Sequence, residues 1–408
     1  MSVRKRTWRT SSGEDKSSWV VDYVDTKGKR RLKTFRLKKE ADAFAATANV
    51  EVRQGVHVAD SASLTISEAA EIWHKAVAVG RNGRDPAEAS TLRQYRTHID
   101  RHIVPALGHE KLSRLTTPRA RAFRDELLEK LSRPMAKKVL TSFKSIIREA
   151  QSRGLVMANV AAPVTIQTGG GNNRHREEVT IPEPAEIRAL LAKLEQLATQ
   201  PNKQWSKAWR RWRALISTAI YTGCRASELR GMPWEAIDLK AGTITVKQRA
   251  DENGKIGSPK SAAGRRTINI PAQLVATLRE WKLESPKGPL VFPNWQGKVE
   301  SLANIHTRCW RPLLIAAAVA VPKLDDAGNV VRDKEGQLIM LPKYNFHALR
   351  HFRASLLIND GANPKEVQVE MGHSSITITL GLYGHIFRDE EADKRRRDRA
   401  ERLASSLG

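Results

Sequence analysis

Apolar residues along this chain recur first at the period of a strand and then, for most of its length, at the period of a helix. Trp19-Val-Val-Asp-Tyr-Val24 alternates in part, as a half-buried strand does, and Arg30 to Leu37 returns as a second strand. Between them, Asp25-Thr-Lys-Gly28-Lys29 is a turn with glycine where a positive φ is needed. Lys38-Lys39-Glu40 then opens a short alanine-rich helix to about Val50. Residues 61–165 read as helix throughout. Thr65-Ile-Ser-Glu68 is a capping box, and Ile66, Ala69, Ile72 and Trp73 follow at helical spacing. Ser90 is the expected cap of a second helix with the stripe Leu92, Tyr95, Ile99 and Ile103. Thr117-Pro118 reads as an N-cap with proline at the first helical position. A fourth helix runs from about Met135 to Arg153 and stops at Gly154.

Residues 166–178, with three successive glycines, form the expected linker. Beyond it, a helix opens at Pro182-Glu-Pro-Ala-Glu and another runs from about Lys207 to Thr222. Thr243 to Arg249 and Arg265 to Ile270 read as strands, and Pro289-Leu-Val-Phe-Pro293 as a short third. Helices are expected at about 300–319, 345–359, 364–371, 375–384 and 388–405. Residues 320–343 carry two turn signals, at Asp325 to Gly328 and Asp333 to Gly336, and read as an inserted hairpin or loop. The first of these turns lacks the later glutamate that a twelve-residue calcium loop needs. The expected class is a mainly α, multidomain α+β fold. It comprises a small N-terminal β-sheet module (1–60), a four-helix domain (61–165), the linker, and a mainly helical domain (179–408) with a small antiparallel sheet.

Composition adds a kind of partner to this picture. Lys and Arg number 70 against 44 Asp and Glu, a formal charge of +26, which favours a polyanionic partner. No apolar run approaches the length of a membrane span, and the basic N-terminus is not followed by the apolar stretch of a signal peptide. Two separated cysteines, Cys224 and Cys309, fit a reducing compartment and cannot build a zinc site alone. The strand region exposes Lys29, Arg31, Lys33 and Arg36 by the expected register, a surface equally suited to a DNA groove or to plain solvation. The polar faces of the helices carry Arg93, Arg96, Lys137, Lys138 and Lys144.

The candidate chemistry lies in three stretches: Thr222-Gly223-Cys224-Arg225-Ala226-Ser227-Glu228, Ser258-Pro259-Lys260-Ser261, and His347 to Tyr383. Attack at a phosphodiester builds negative charge on the non-bridging oxygens, and planar guanidiniums such as Arg225 and Arg350 suit those oxygens. Glu228, three residues after Arg225, is placed to orient it. His347 and Arg350 share one helical face, and the near-neutral pKa of histidine makes His347 a candidate base. His351 reads as structural, and His373 as a donor to a phosphate oxygen. No metal-ligand spacing and no phosphate-binding glycine loop appears, so no metal, ATP or other cofactor is expected.

The order Arg225, Lys260, His347-x-x-Arg350, Gly372-His373, Tyr383 resembles the tyrosine recombinases, and the whole chain resembles a phage-type integrase. The resemblance implies that Tyr383 is the nucleophile, that Lys260 is the general acid for the leaving 5′ oxygen, and that the 3′ phosphate becomes esterified to the tyrosine. It further implies an arm-type DNA-binding module at 1–60, a core-binding domain at 61–165 and a catalytic domain at 179–408. The implied partners are double-stranded DNA at core and arm sites, a homotetramer passing through a Holliday junction, and DNA-bending and directionality factors. The implied place is the bacterial cytoplasm, with no membrane partner. Two rivals share these residues: a type IB topoisomerase-like relaxase, and a decayed integrase acting as a DNA-binding or architectural protein.

Overall fold

In the computed structural model the chain divides into two compact units, Met1–His175 and Arg176–Gly408. The structure describes residues 1–407 except Lys27, Val56, Val58, Asn82, 168–178, Asp326 and 388–391. The expected linker therefore lies outside the described residues from 168 onward, and Ile166, at its expected start, is buried in the helical core before it.

The first unit begins with a three-stranded antiparallel sheet, β1 (Ser2–Arg9), β2 (Asp15–Val24) and β3 (Arg30–Phe35), with β2 in the middle. The sequence predicts two strands; β1 is too rich in arginine and lysine to alternate visibly. The β2–β3 turn closes on Asp25, which accepts from the amides of Gly28 and Lys29 at 3.0 and 2.9 Å, and Gly28 takes φ +73°. Helix α1 (Lys38–Arg53) covers one face of the sheet, where Val21, Tyr23 and Ala41 are buried. The register pairs Val21 with Lys33 and Tyr23 with Arg31. Because side chains alternate along a strand, Arg31 and Lys33 therefore point to the covered face, contrary to the expectation that they are exposed. Arg31 bonds Asp25 at 2.8 Å, and Lys33 bonds Asp60 at 2.7 Å and stands 4.2 Å over the Phe44 ring. The uncovered face carries Arg4, Arg6, Lys16 and Arg30 instead. Lys29 and Arg36 flank β3 and are exposed.

The helices that follow are α2 (Ile66–Val79), α3 (Ala89–His98), α4 (Val104–Leu107), α5 (Thr117–Lys130) and α6 (Arg133–Ser152). The capping box of α2 forms as expected, with the Glu68 amide donating to Thr65 Oγ1 at 3.2 Å and the Thr65 amide to Glu68 at 2.7 Å. Two caps fall elsewhere: Glu88 rather than Ser90 precedes α3, and Thr116 rather than Thr117 caps α5. Trp73, Ile99, Ile103, Phe123, Phe143 and Ile146 close the core. Of the basic residues expected on the polar faces, Arg93, Lys137 and Lys138 are exposed. Arg96 is instead engaged by Glu71, and Lys144 donates to the Val164 carbonyl at 2.9 Å.

The second unit is organised by a long helix. After α7 (Pro184–Ala198) comes α8 (Lys203–Thr222), twelve of whose residues are buried, including Trp209, Trp212, Leu215 and Ile216. Then come α9 (Ala226–Arg230), the strands β4 (Ile237–Asp238) and β5 (Thr243–Val246), the hairpin β6 (Arg249–Ala250) and β7 (Ile256–Gly257), and β8 (Arg266–Asn269). The order β4-β5-β8 forms one antiparallel sheet. Helix α10 (Ala272–Glu284) follows, then α11 (Leu302–Asn304), a π turn (Ile305–Trp310) and α12 (Arg311–Ala316). Residues 289–293, expected as a strand, make only isolated bridges at Leu290 and Pro293. The insertion is a hairpin whose base is β9 (Ala320–Pro322) paired with β10 (Met340–Pro342). The last helices are α13 (Ala348–Asn359), α14 (Pro364–Met371), α15 (Ile376–Tyr383) and α16 (Ala392–Leu407). No helix among the described residues is long and apolar enough to cross a membrane.

Candidate active site

The site forms where the end of α8 meets the start of α13. These helices pack together, and α13 packs in turn on α14. Helix α8 stops because Gly223 adopts the left-handed conformation, at φ +62°. A Cβ there would also stand 2.8 Å from the Met371 side chain. The reversal turns Arg225 inward at the N-cap of α9. Its guanidinium bonds Glu228 Oε1 at 2.8 Å and the Gly372 carbonyl at 3.1 Å, and its amide bonds Glu228 Oε2 at 2.9 Å. Glu228 thus orients Arg225, in keeping with their spacing. It is itself held by Arg266, whose Nη2 bonds Oε2 at 2.9 Å, with both side chains 3% exposed. Burial pushes the Glu228 carboxyl up, but Arg266 first and Arg225 next hold it below the usual range.

Arg350 is 3% exposed. It donates to the Gly223 carbonyl at 2.9 Å and to that of Met371. Burial and then the charge of Arg225 push its pKa down to about 10, so it remains a cation at neutral pH. Three guanidiniums here, from Arg225, Arg266 and Arg350, answer to the one carboxylate of Glu228. That excess of positive charge in a largely dry pocket favours an anion. A cavity of about 220 Å³ beside it is lined by Arg225, Glu228, Arg249, Lys260 and His373 among others. Lys260 is exposed and lies on the turn after β7, so the lysine that the sequence singles out does face this cavity. Arg249, at the start of β6, faces it too and carries no signal in the sequence.

The three histidines differ in what they touch. His347 precedes α13 at the open rim, and its ring meets that of His351 edge-on at 4.9 Å. His373 follows Gly372, which takes φ +62° and where a Cβ would stand 2.9 Å from both the Ala263 carbonyl and Arg266. His373 is 4% exposed, bonds Thr379 Oγ1 through Nδ1 at 2.9 Å, and lies nearly parallel to the Tyr383 ring at 6.4 Å. Burial and then the neighbouring arginines push His373 down to about 3, and the same causes act in the same direction on the more exposed His347. Tyr383, the last residue of α15, is fully buried among Ala354, Leu357, Ile358, Val367 and Met371. Its hydroxyl bonds His351 Nδ1 at 2.7 Å. Burial raises its pKa to about 12, against the pull of Arg350 and Arg225. The sequence alone reads His351 as structural; the fold puts it on the phenol.

Arg225, Lys260, His347, Arg350, His373 and Tyr383 thus come from five separate elements to one place. Two guanidiniums whose charge reaches a buried phenol, with an ammonium lining the cavity beside Arg225 and His373, are a class of site that can hold a phosphodiester near a tyrosine.

The sequence pattern of the phage integrase family matches residues 183–390, and the chain belongs to that family. It is 26% identical over 386 residues to a tyrosine recombinase XerC-like protein of Caldanaerobacter subterraneus subsp. tengcongensis, covering 89% of this chain and 90% of that protein. It is 25% identical over 405 residues to an integrase of Streptomyces ambofaciens, covering 93% and 94%. Among solved structures, the Tn1549 transposon integrase in complex with a circular intermediate DNA superposes with a TM-score of 0.60 at 19% identity, covering 84% of this chain and 100% of that one. A lambda integrase dimer bound to a core site superposes with a TM-score of 0.51 at 18% identity, covering 95% of each. Both likenesses show a shared fold.

Proposed function

We propose that this protein is a site-specific DNA recombinase that integrates a mobile element by transient esterification of DNA to Tyr383. The observation that carries the reading is the convergence of Arg225, Arg350 and the Tyr383 hydroxyl within one chain, the phenol already inside the field of both guanidiniums. Arg225, Arg350 and His373 bind the non-bridging oxygens of the scissile phosphate, and His347 stands at the rim to add a further contact. Lys260 protonates the departing 5′ oxygen. The phosphotyrosine ester keeps the energy of the broken bond, so a second 5′-hydroxyl reseals the strand, and the chemistry needs neither metal nor ATP. Likeness to a lambda integrase tetramer bound to a Holliday junction supports a homotetramer as the acting form. Residues 61–165 contact the core site, with Arg93, Lys137 and Lys138 as their exposed cations, and the N-terminal sheet holds a separate arm site. Two linked modules raise the effective concentration at the second site.

A fully enclosed Tyr383 hydroxyl does not reach a bound phosphate, so α15 shifts when DNA and neighbouring protomers assemble. The test is adduct trapping on a nicked duplex carrying the core sequence that the full chain selects from a randomised library. Wild type gives an SDS-resistant adduct at the 3′ phosphate and Tyr383→Phe gives none. Salt-sensitive binding without any adduct from wild type would instead mark a non-catalytic DNA-binding protein.

A further inference from the structure

The recombinase reading leaves unused a groove at the far end of α8 from Gly223. Trp205, Ala208, Trp209 and Trp212 recur there at the spacing of one helical face. They share a cavity of about 650 Å³ with Trp295, a volume within the range of about 300–1,000 Å³ usual for ligand pockets. Trp295 stands in a tight turn, fixed where Asn294 Oδ1 accepts from the amides of Gln296 and Lys298, each at 3.0 Å. Trp209 and Trp212 are buried and form the wall, whereas Trp205 and Trp295 are 61% and 49% exposed. We propose that this groove binds an acidic, proline-containing segment of a partner protein, laid in extended form against Trp205 and Trp295.

The polar groups of the groove decide the chemistry of its occupant. Arg211, also on the lining, is 2% exposed; its guanidinium stands 4.2 Å over the Trp212 ring and 5.6 Å from the Trp295 ring. It donates to Glu300, while its buried Nε meets no acceptor among the described residues. Glu300 is the one carboxylate on the lining, and it is committed: besides Arg211 it accepts from Asn304 Nδ2 at 3.0 Å and from the Ser301 amide at 2.8 Å. The exposed charges left are cations, Arg308 on the lining and Lys207, whose Nζ reaches over the Trp295 ring at 5.7 Å. Lysine and arginine donate only, so the groove calls for acceptors. A proline-containing segment supplies them: proline keeps its carbonyl, brings no N–H to leave unmet, and packs its ring on an indole face. Its extended helix is formed in advance, so little ordering cost remains on a groove whose floor is already fixed. Aspartate or glutamate beside the proline pairs with Lys207 and Arg308. From Trp205 to Thr222 the helix rises about 25 Å, so an occupant here does not compete with a phosphate at Arg225.

The inference does not depend on the chemistry at Tyr383, and its test does not use adduct formation. Short random peptides displayed on phage are selected against the full chain at physiological salt, after depletion on the double variant Trp205→Ala, Trp295→Ala. Both indoles are exposed, so that variant keeps the wild-type unfolding curve. The recovered peptides carry proline next to aspartate or glutamate. Fluorescence anisotropy of synthetic copies shows a loss of about tenfold or more in affinity for Trp205→Ala and for Trp295→Ala. Arg308→Glu, which leaves the indoles in place, weakens the same peptides, and so does alanine in place of their prolines. Peptides without proline or acid, or no peptide surviving the depletion, overturn the proposal. So do copies that bind the variants as tightly as wild type, which marks general attraction to a chain of charge +26. Two further results overturn it in favour of another occupant. A short oligothymidine whose affinity falls with the indoles marks a site for single-stranded DNA. Concentration-dependent dimerisation lost in the double variant marks a contact between copies of this chain.

Discussion

The candidate pocket and the N-terminal sheet both gather arginines, on opposite terms. In the pocket, Arg350 and Arg266 are nearly sealed from water and fixed by the backbone carbonyls of Gly223, Met371, Gly264 and Glu370. On the uncovered face of the sheet, the Arg4 and Arg30 side chains are 61% and 70% exposed, and both pair with Asp22. A buried guanidinium held by carbonyls is preorganised: little ordering cost remains when an anion arrives, and its hydrogen bonds act in low dielectric. An exposed one supplies charge that salt screens and water competes for. The first kind suits chemistry at one phosphate, and the second suits holding many phosphates loosely.

The largest break in this contrast is Arg350→Ala. Loss of one preorganised donor costs about 100- to 1000-fold in the rate of adduct formation. Because the Gly223 and Met371 carbonyls then lose a buried partner, the second unit also loses about 1–3 kcal/mol in urea unfolding. Arg350→Lys keeps the charge but not the fork, and its rate stays closer to that of alanine than to wild type. Next is Glu228→Gln. Breaking the buried pair with Arg266 destabilises the fold by about 3–5 kcal/mol, read from the same denaturation. The Glu228 pKa is lowered in the fold, so the stability it adds is fully present above its ordinary value of 4.5. That stability is lost as pH falls through the lowered value, so wild type and Glu228→Gln converge only once the pH is below it. The half-buried His351 and the buried His373 add a separate acid sensitivity, since folding depresses both from 6.5. Unfolding therefore takes up protons at both residues in the window below their ordinary value and above about pH 4, and His373→Asn removes about one.

The clamp is legible in the sequence because its residues lie in three short stretches with fixed spacing, and helix ends carry them. Glycine at 223 and 372 marks the turns that aim Arg225 and His373. What the spacing does not carry is contact between elements distant in sequence. By helical spacing alone His351, next to Arg350, points away from the site, and so it does from the clamp; α15 comes to meet it there. Arg266 looks like an ordinary basic strand residue until β8 is placed beside α9 and its partner Glu228. The sheet reading fails by one position. Val20 and Val21 are both apolar, so Trp19 to Val24 gives no clean alternation, and Val20 is buried on the otherwise basic face. The register of β2 with β3 decides which of the neighbouring cations face out.

The two faces of that sheet give the smaller tests. Lys33→Ala removes an ion pair with Asp60 and a cation over Phe44, at a cost of about 1 kcal/mol in stability. Affinity for arm DNA changes little per folded molecule, because this face lies under α1. The triple change Arg4→Ala, Arg6→Ala, Arg30→Ala does the reverse. Its stability stays within about 0.5 kcal/mol of wild type, as for exposed substitutions away from special features. The slope of log binding constant against log salt becomes shallower by about 0.9 for each phosphate that the variant no longer neutralises, measured on an arm-site duplex selected by the chain. Equal salt slopes in the triple variant and wild type would leave the sheet as a solvated surface. Equal slopes together with a reduced slope in Arg31→Ala and Lys33→Ala would mean that α1 lifts from the sheet on binding and exposes the inner cations. Charge alone cannot separate these cases, because both faces are basic; the separation comes from which face releases counterions on binding and which face holds the fold together.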